Sequence, residues 1–583
     1  MPQEAPARIA RELASHGYTA DREAITLLAR ADDTATALLV AVEATPDDAL
    51  KLTADDVRAA LDEGGPTARR DPISEGDDGA SPDDPETTTS SASSGAVSDG
   101  SDAGEQAQEA SQPEPVPDAA DDDPSPVETE DGSGGVGQSG RNEHPSSSAA
   151  EPATAAESGG EPPVETEGSS EASTRERNTD QSLRDLDIGN DMTGRSTGTG
   201  EYDDFVATFR DRYERLSKTL KGRVNHRNAS ALEASPGGGE AEMVGMVSDI
   251  RSTASGHWLI ELEDTTGVFP CMILKDRDIA GLVDELLYDE VVAVEGTLSD
   301  DGSIMFVDDL YFPDVPRTHE PSTADRHVEA ALISDVHVGS QEFMADAWER
   351  FAAWLHTDEA ANIEYLLIAG DMVEGVGVYP DQDEELDIVD IFDQYEQFSE
   401  RLKSVPGDIE IVMIPGNHDA VRLAEPQPGF DEELRSIMTA HDAQIASNPA
   451  VVTLEGVSVL MYHGVSLDEV IAEMPDAKAS YDDPHLAMFQ LLKKRHVAPQ
   501  FGGHTRLAPE QQDYLVMDEV PDIFHTGHVH KLGWGQYRNV LAVNSGCWQA
   551  QTDFQKSVNI DPDAGFAPVV DLGSLDMTVH KFS

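Results

Sequence analysis

Cysteine is nearly absent: of 583 residues only Cys271 and Cys547 carry a thiol. Two thiols set far apart in apolar surroundings exclude a disulfide framework and a thiolate zinc site, and read as core residues. Basic residues are scarce too, 39 Lys and Arg against 114 Asp and Glu, a formal net charge of -75. A surface this acidic does not gain general affinity for a polyanion by releasing counterions. It stays hydrated and self-repelling, as suits a salt-rich cytoplasm. No apolar run approaches the ~20 residues of a membrane span. The start, Met1-Pro2-Gln3-Glu4-Ala5, has no basic stretch leading into an apolar one. The expectation is a soluble, cytoplasmic protein.

Large apolar side chains also thin out locally. Between about 65 and 200 the sequence is Ser, Gly, Pro, Asp, Glu, Thr and Ala with hardly an aromatic. Such a segment cannot bury enough apolar surface to offset the entropy of ordering it, so 65–200 is expected to be a disordered acidic linker. Before it, 1–64 reads as a small helical docking module for a partner. Ile9 and Leu13 fall at helical spacing, Gly17 can end that helix, and Asp21, Thr45 and Thr53 can cap further short helices. After it, 201–235 holds a basic amphipathic helix, with Phe205, Phe209, Tyr213, Leu216 and Leu220 on one face. Arg210, Arg212, Arg215, Lys218 and Lys221 flank them. Its basic face either touches DNA or a partner, or is solvated while the aromatics dock the helix.

Residues 240–316 alternate as five short strands, at 243–250, 257–263, 268–274, 290–298 and 304–311, with a helix at 282–287. Thr265-Thr266-Gly267 and Asp300-Asp301-Gly302 supply turns. This is the pattern of a β-barrel of the OB-fold type. Glu261, Glu263, Asp264, Asp284 and Glu285 outweigh Arg251, Lys275 and Arg277, which favours packing or subunit contact over binding a strand of nucleic acid.

From 327 to 583 apolar runs alternate with helices, expected at 344–355, 390–402, 432–441 and 485–494, as in an α/β layered sandwich. Five runs end in polar groups: Ser334-Asp335-Val336-His337, Gly370-Asp371, Pro415-Gly416-Asn417-His418-Asp419, His463-Gly464 and Gly527-His528-Val529-His530. Open α/β sheets keep their sites at the carboxyl ends of strands, and small residues beside the polar ones let backbone approach closely. Carboxylate, imidazole and amide donors suit a hard or borderline divalent cation. There are more donors than one tetrahedral ion needs. Two ions sharing a carboxylate would use them all, an arrangement suited to in-line attack of an activated water on phosphorus.

The ordered set Asp-x-His, Gly-Asp, Gly-Asn-His-Asp, His-Gly and Gly-His-x-His resembles the calcineurin-like metallophosphoesterase superfamily. Pro415 to Arg422, Ala424-Glu425-Pro426-Gln427-Pro428, Arg495-His496-Val497-Ala498-Pro499 and Val543 to Thr552 are similar to the small subunit of archaeal D-family DNA polymerases. The likeness spans roughly 200–583 and implies a 3′→5′ proofreading exonuclease, paired as a heterodimer with a large catalytic subunit and acting on single-stranded 3′ ends of DNA. It further implies that Asp335, His337, Asp371 and His530 hold one metal, and that Asp371, Asn417, His463 and His528 hold the other. His418 stays free as proton donor or transition-state stabiliser. Manganese is the metal the resemblance implies; the donors alone would also accept iron, zinc or magnesium. Arg422 is a candidate for a contact to the scissile phosphate or a salt bridge to a partner. Arg506, with Lys493-Lys494-Arg495-His496, forms a local basic island that could grip phosphates. Two rivals keep part of this reading: a free phosphodiesterase on small substrates, and a non-catalytic scaffold subunit.

Overall fold

The structure is a computed structural model whose described residues are 181–583, apart from 199, 380, 381, 504, 558 and 559, with isolated positions between 19 and 58. The expected linker up to residue 180 lies outside them, as do Ile9, Leu13, Gly17 and the expected caps Asp21, Thr45 and Thr53. Within the amino-terminal module Thr19–Ala20 pairs parallel with Lys51–Leu52, so the module is not purely helical. Segments of two residues are too short for any periodicity to reveal them.

The expected linker also ends too late. Leu186–Gly189 (β1) is a strand hydrogen-bonded antiparallel to Ala450–Leu454. Arg184 pairs with Glu364 at 3.1 Å, and Met192 is fully buried. Only Leu186, Ile188 and Met192 signal this in the sequence, which suffices for an edge strand with one buried face but not for a visible pattern.

Glu240–Ser252 (β2), Trp258–Asp264 (β3), Gly267–Ile273 (β4), Val291–Leu298 (β5) and Met305–Tyr311 (β6) form a closed barrel in the order β2-β3-β4-β6-β5. Met243, Val247, Ile260, Leu262, Cys271, Val294 and Val307 fill it. The helix expected at 282–287 is a 3-10 helix at Asp278–Glu285.

The body that follows has two six-stranded sheets. The first contains Glu329–Ile333 (β7), Ile363–Ala369 (β8), Glu410–Ile414 (β9) and Gln444–Ile445 (β10), all parallel, with two antiparallel strands near the carboxyl terminus beyond β7. The second contains Ala450–Leu454 (β11), Val457–Met461 (β12), Ile523–Thr526 (β13), Leu532–Tyr537 (β14) and Val540–Ser545 (β15), in the order β14-β15-β13-β12-β11-β1. Alternate side chains explain the continuous apolar runs. Leu332, Leu367, Val412 and Ile414 meet Val452, Val459, Met461 and Val543 in one core. Ile333, Leu366, Ile368 and Met413 turn the other way, against Trp348, Phe351, Tyr395 and Phe398 of the helices Ala345–Leu355 and Ile391–Leu402. On the far side Leu460, Tyr462 and Phe524 pack on Leu467, Met488 and Leu491 of Ser466–Glu473 and Pro484–Lys494. Strands buried on both faces have no polar face to alternate with.

The helix Tyr202–Lys221 wedges between barrel and body: Tyr213, Leu216 and Leu220 pack on Val244, Val291 and Ala293 of the barrel and on Val516 of the body. Arg212, fully buried, donates to Asp513 at 2.7 Å and to the carbonyls of Asp289 and Pro499. Arg215 reaches Asp211 and Asp518. Of the two readings of this helix, docking is the one the contacts of Tyr213, Leu216, Arg212 and Arg215 display.

Candidate metal centre

The five polar motifs follow β7, β8, β9, β12 and β13 directly, so parallel strands deliver them to one edge. The backbone there is unusual. Asp335, His337, Asp371, His528 and His530 all have φ between 51° and 72°. Non-glycine residues pay a steric cost in this left-handed region and persist in it where surroundings over-determine them, most often at functional sites. Close approach is needed as well. A Cβ on Gly416 would lie 2.7 Å from the backbone nitrogen of Asp371, and one on Gly527 2.6 Å from Cβ of Ser334.

Two donor groups result, joined at the carboxylates. In the first, His530 Nε2 lies 3.5 Å from an Asp335 oxygen and 3.0 Å from His337 Nε2, which is itself 3.9 Å from oxygens of Asp335 and Asp371. In the second, His463 Nε2 lies 3.2 Å from Asp371 Oδ2 and 2.9 Å from Asn417 Oδ1. Asp371 therefore stands between the two. Asp335, His337, Asp371, His463 and His530 are all buried.

Neighbours fix which atoms face inward. His337 Nδ1 donates to Glu374 Oε2 at 2.9 Å and His463 Nδ1 donates to the Ala369 carbonyl at 2.8 Å, leaving both Nε2 lone pairs aimed at carboxylate and amide oxygens. Acceptors turned on one another without a donor between them are what a divalent cation satisfies, so the residues fit such ions. In the absence of a cation protons must compensate. Burial alone would lower the His463 pKa, but Asp371 outweighs it and pushes the imidazole up to about 10. Burial likewise works against the charged Asp371 carboxylate, yet His463 holds it well below the usual range. Glu374, disfavoured as a carboxylate by burial, is drawn down to about 2 by His337.

His528 stands apart. Its backbone N–H donates to Asp335 and its Nε2 donates to Asp468 Oδ2 at 3.0 Å, so only Nδ1 is left to face the site; the ring lies 5.2 Å from that of His463. His418 sits beside the first group, its ring 4.8 Å from that of His337. Its backbone N–H donates to Asp371 Oδ1 at 2.8 Å and its Nδ1 to the Glu374 carbonyl at 2.8 Å. Nε2 is the free atom.

The two arginines differ. Arg422 donates to Glu510 at 2.7 Å, to Ser196 Oγ and to the carbonyls of Ala424, Pro426 and Gly198, so its donors are engaged within the chain. Arg506 is exposed, with no side-chain partner among the described residues, but it does not line the cavity over the donors. The rest of the basic island is engaged within the chain. Lys494 pairs with Glu290 and the Glu285 carbonyl, Lys493 pairs with Glu285, Arg495 donates to the carbonyls of Met517 and Asp518, and His496 meets Asp513. These residues bolt the body to the barrel and the wedge helix. An acidic surface on the barrel recruits whatever cations lie opposite it, which a reading of the island alone does not reveal.

Sequence reasoning missed several supports. Glu374 accepts from Gln549, Gln382 and Tyr379 besides His337. Gln555 meets His530 Nδ1 at 3.0 Å, and Asp419 accepts from the Gly416 and Met372 N–H groups. Asp419 and Gln549 lie inside two of the motifs that carry the resemblance; Asp468 and Gln555 had no signal.

Residues 330–531 match the model of a family described as the B subunit of DNA polymerases alpha and epsilon. The DNA polymerase II small subunit of Halobacterium salinarum is 59% identical over 583 residues, covering all of both chains. That of Archaeoglobus fulgidus is 43% identical over 389 residues, 65% of this chain and 77% of the relative; that of Methanocaldococcus jannaschii is 38% identical over 401 residues, 67% of each. Among solved structures an archaeal phosphodiesterase aligns with 43% of this chain and 98% of its own, at 12% identity and a TM-score of 0.23. A likeness so distant carries no argument about activity. The class is thus the B-type, or small, subunit of DNA polymerases. Within it the chain belongs to the family of archaeal DNA polymerase II small subunits.

Proposed function

We propose that this small subunit is a metal-dependent 3′→5′ exonuclease that removes nucleotides from single-stranded 3′ ends of DNA for a large catalytic subunit, its heterodimer partner. The two-sheet body is, on this reading, a calcineurin-like metallophosphoesterase sandwich, and the closed barrel an OB-fold. One observation carries the proposal: two buried donor groups, Asp335 with His337 and His530 and Asp335 with Asp371 and His463, meet at their carboxylates at the carboxyl ends of parallel strands, with Asp371 Oδ2 between His337 and His463, under a cavity of about 260 Å³ that also exposes His418.

Asp335, His337, Asp371 and His530 would hold one divalent cation; Asp371, Asn417, His463 and His528, through Nδ1, would hold the second. Manganese is the proposed metal, and the mixed nitrogen and oxygen donors also suit magnesium, iron or zinc. Such a pair supplies charge neutralisation at the phosphodiester and lowers the pKa of a bound water. The chain does the rest. Glu374 and the Ala369 carbonyl hold His337 and His463 in the ligating tautomer. His418 as the imidazolium, its Nδ1–H committed to the Glu374 carbonyl, would present Nε2–H to deliver that proton to the leaving 3′ oxygen, leaving the ring neutral.

The test is His418→Ala on 3′-labelled single strands with Mn2+ in concentrated KCl, with metal content measured alongside. Loss of general acid catalysis should slow hydrolysis by roughly 10²–10⁴ with both ions retained. Unchanged hydrolysis would overturn the role of His418; a wild-type chain that binds ions but leaves DNA intact would overturn the nuclease reading in favour of a scaffold.

A further inference from the structure

The cavity over the donors has a rim of a different kind from its floor. Among the described residues that line it there is no Lys or Arg. Arg422, Lys493, Lys494 and Arg495 are bound inside the chain. A strand entering here meets no lysine or arginine among the described residues of that lining. It does find aromatic faces. Phe554 is 41% exposed and lies stacked on Tyr379, with ring centroids 4.8 Å apart and planes 24° from parallel. Tyr481, 42% exposed, also lines the cavity.

Both aromatics are fixed relative to the donor groups through carboxylates. The Tyr379 hydroxyl donates to Glu374 Oε1 at 3.0 Å, and Glu374 orients His337. The Tyr481 hydroxyl donates to Asp468 Oδ1 at 3.0 Å, and Asp468 orients His528. Phe554 in turn rests on Tyr379, and its backbone N–H donates to Glu385. An exposed ring costs apolar surface in water. One held in register with a metal cradle by two links is placed to receive a flat partner.

We propose that the outer face of Phe554 is the platform on which a nucleobase next to the scissile phosphodiester stacks, with Tyr481 at the facing rim. This rests on the exonuclease reading and names its specificity element. Stacking accepts any base, because every base has a π face, and is hardly screened by salt. It also requires an unpaired base, since a base within a duplex has its faces covered, so the platform selects frayed over paired 3′ ends.

The experiment uses the full chain in concentrated KCl and two readouts. In EDTA, where no hydrolysis occurs, an oligothymidylate carrying 2-aminopurine at its 3′ end should be quenched on binding to wild type and to Phe554→Tyr, and not to Phe554→Ala. With Mn2+, Phe554→Ala should raise KM for single strands by roughly 5- to 150-fold with kcat little altered. Wild type should show the same loss on a strand ending in an abasic unit, and the variant no additional loss. Equal quenching by wild type and Phe554→Ala, or an abasic penalty undiminished in the variant, overturns the platform. If quenching follows Phe554 while wild type hydrolyses nothing, the exonuclease reading falls and the base platform stands.

Discussion

Gly416 offers a way to disturb the donor geometry without touching a donor. Its backbone is outside the left-handed region, so alanine there meets no conformational strain and only a steric one. The new Cβ would lie 2.7 Å from the Asp371 nitrogen and 2.7 Å from His463 Cε1, and closer still to Asp371 Oδ1, where ordinary contact begins near 3.4 Å. The Asp371 backbone and the His463 ring each lie about 0.7 Å too close, the Asp371 carboxylate more, and all belong to the second donor group. Backbone cannot yield cheaply, because the neighbouring His418 N–H holds Asp371 and the Gly416 N–H is held by Asp419. A displacement of this order costs about 30- to 100-fold in rate, by the rule that a 1 Å misplacement costs ~10²-fold. Overpacking adds ~1–3 kcal/mol of destabilisation. Equilibrium dialysis against Mn2+, exonuclease assays and denaturant unfolding measure the three effects. Gly281→Ala, whose Cβ would meet nothing within 4 Å, is the control and should match wild type. A Gly416→Ala protein that binds two ions at wild-type affinity and trims 3′ ends at the wild-type rate would refute the proposed donor geometry.

Two further outcomes follow from buried groups. Arg212→Met should destabilise the chain by about 3–5 kcal/mol in a denaturant midpoint experiment, because the buried Asp513 carboxylate loses its guanidinium and keeps only His496 and the Leu515 N–H; the double variant Arg212→Met/Asp513→Asn should recover part of that loss. His525 is buried and neutral, its pKa pushed down to about 3 by desolvation. Since the unfolded chain takes up this proton near pH 6.5, the stability it contributes is complete above 6.5 and fades as pH falls toward 3. With metals chelated, wild type should therefore lose about 3 kcal/mol between pH 6.5 and 4 relative to His525→Leu. Parallel stability curves for the two proteins over that range would contradict the assignment.

The strand ends were legible because burial on both faces leaves runs such as Tyr365-Leu366-Leu367-Ile368-Ala369 with no competing pattern, and because Gly-Asp and Pro-Gly-Asn-His-Asp interrupt them abruptly. The barrel strands were legible from turns and alternation. What the sequence withheld depends on distance along the chain. Asp468 matters through His528, sixty residues on, and Gln555 through His530. The left-handed backbone at Asp335, His337, Asp371, His528 and His530 falls on Asp and His, types that adopt it more readily than most non-glycine residues, but the same types are common elsewhere and do not single these positions out. Strand β1 and the position of the 3-10 helix were lost to short length, where one residue's neighbours decide the conformation.

Arg422, Lys493, Lys494 and Arg495 share one circumstance. In a chain with 39 basic residues and 114 acidic ones, any cation near the surface has several carboxylates within reach. Exposed pairs contribute little and weaken with salt, whereas pairs shielded from solvent do not. Arg212 on Asp513, Arg422 on Glu510 and Lys494 on Glu290 are each almost wholly buried, and all three join segments distant in sequence: wedge helix to body, strand-end loop to the 510 region, body to barrel. Basic clusters in so acidic a chain therefore mark internal junctions more than nucleic-acid surfaces. On the proposed reading, the hold on a DNA strand then rests mainly on metal ions and on the faces of its bases, with the exposed Arg506 and whatever cations a partner chain contributes.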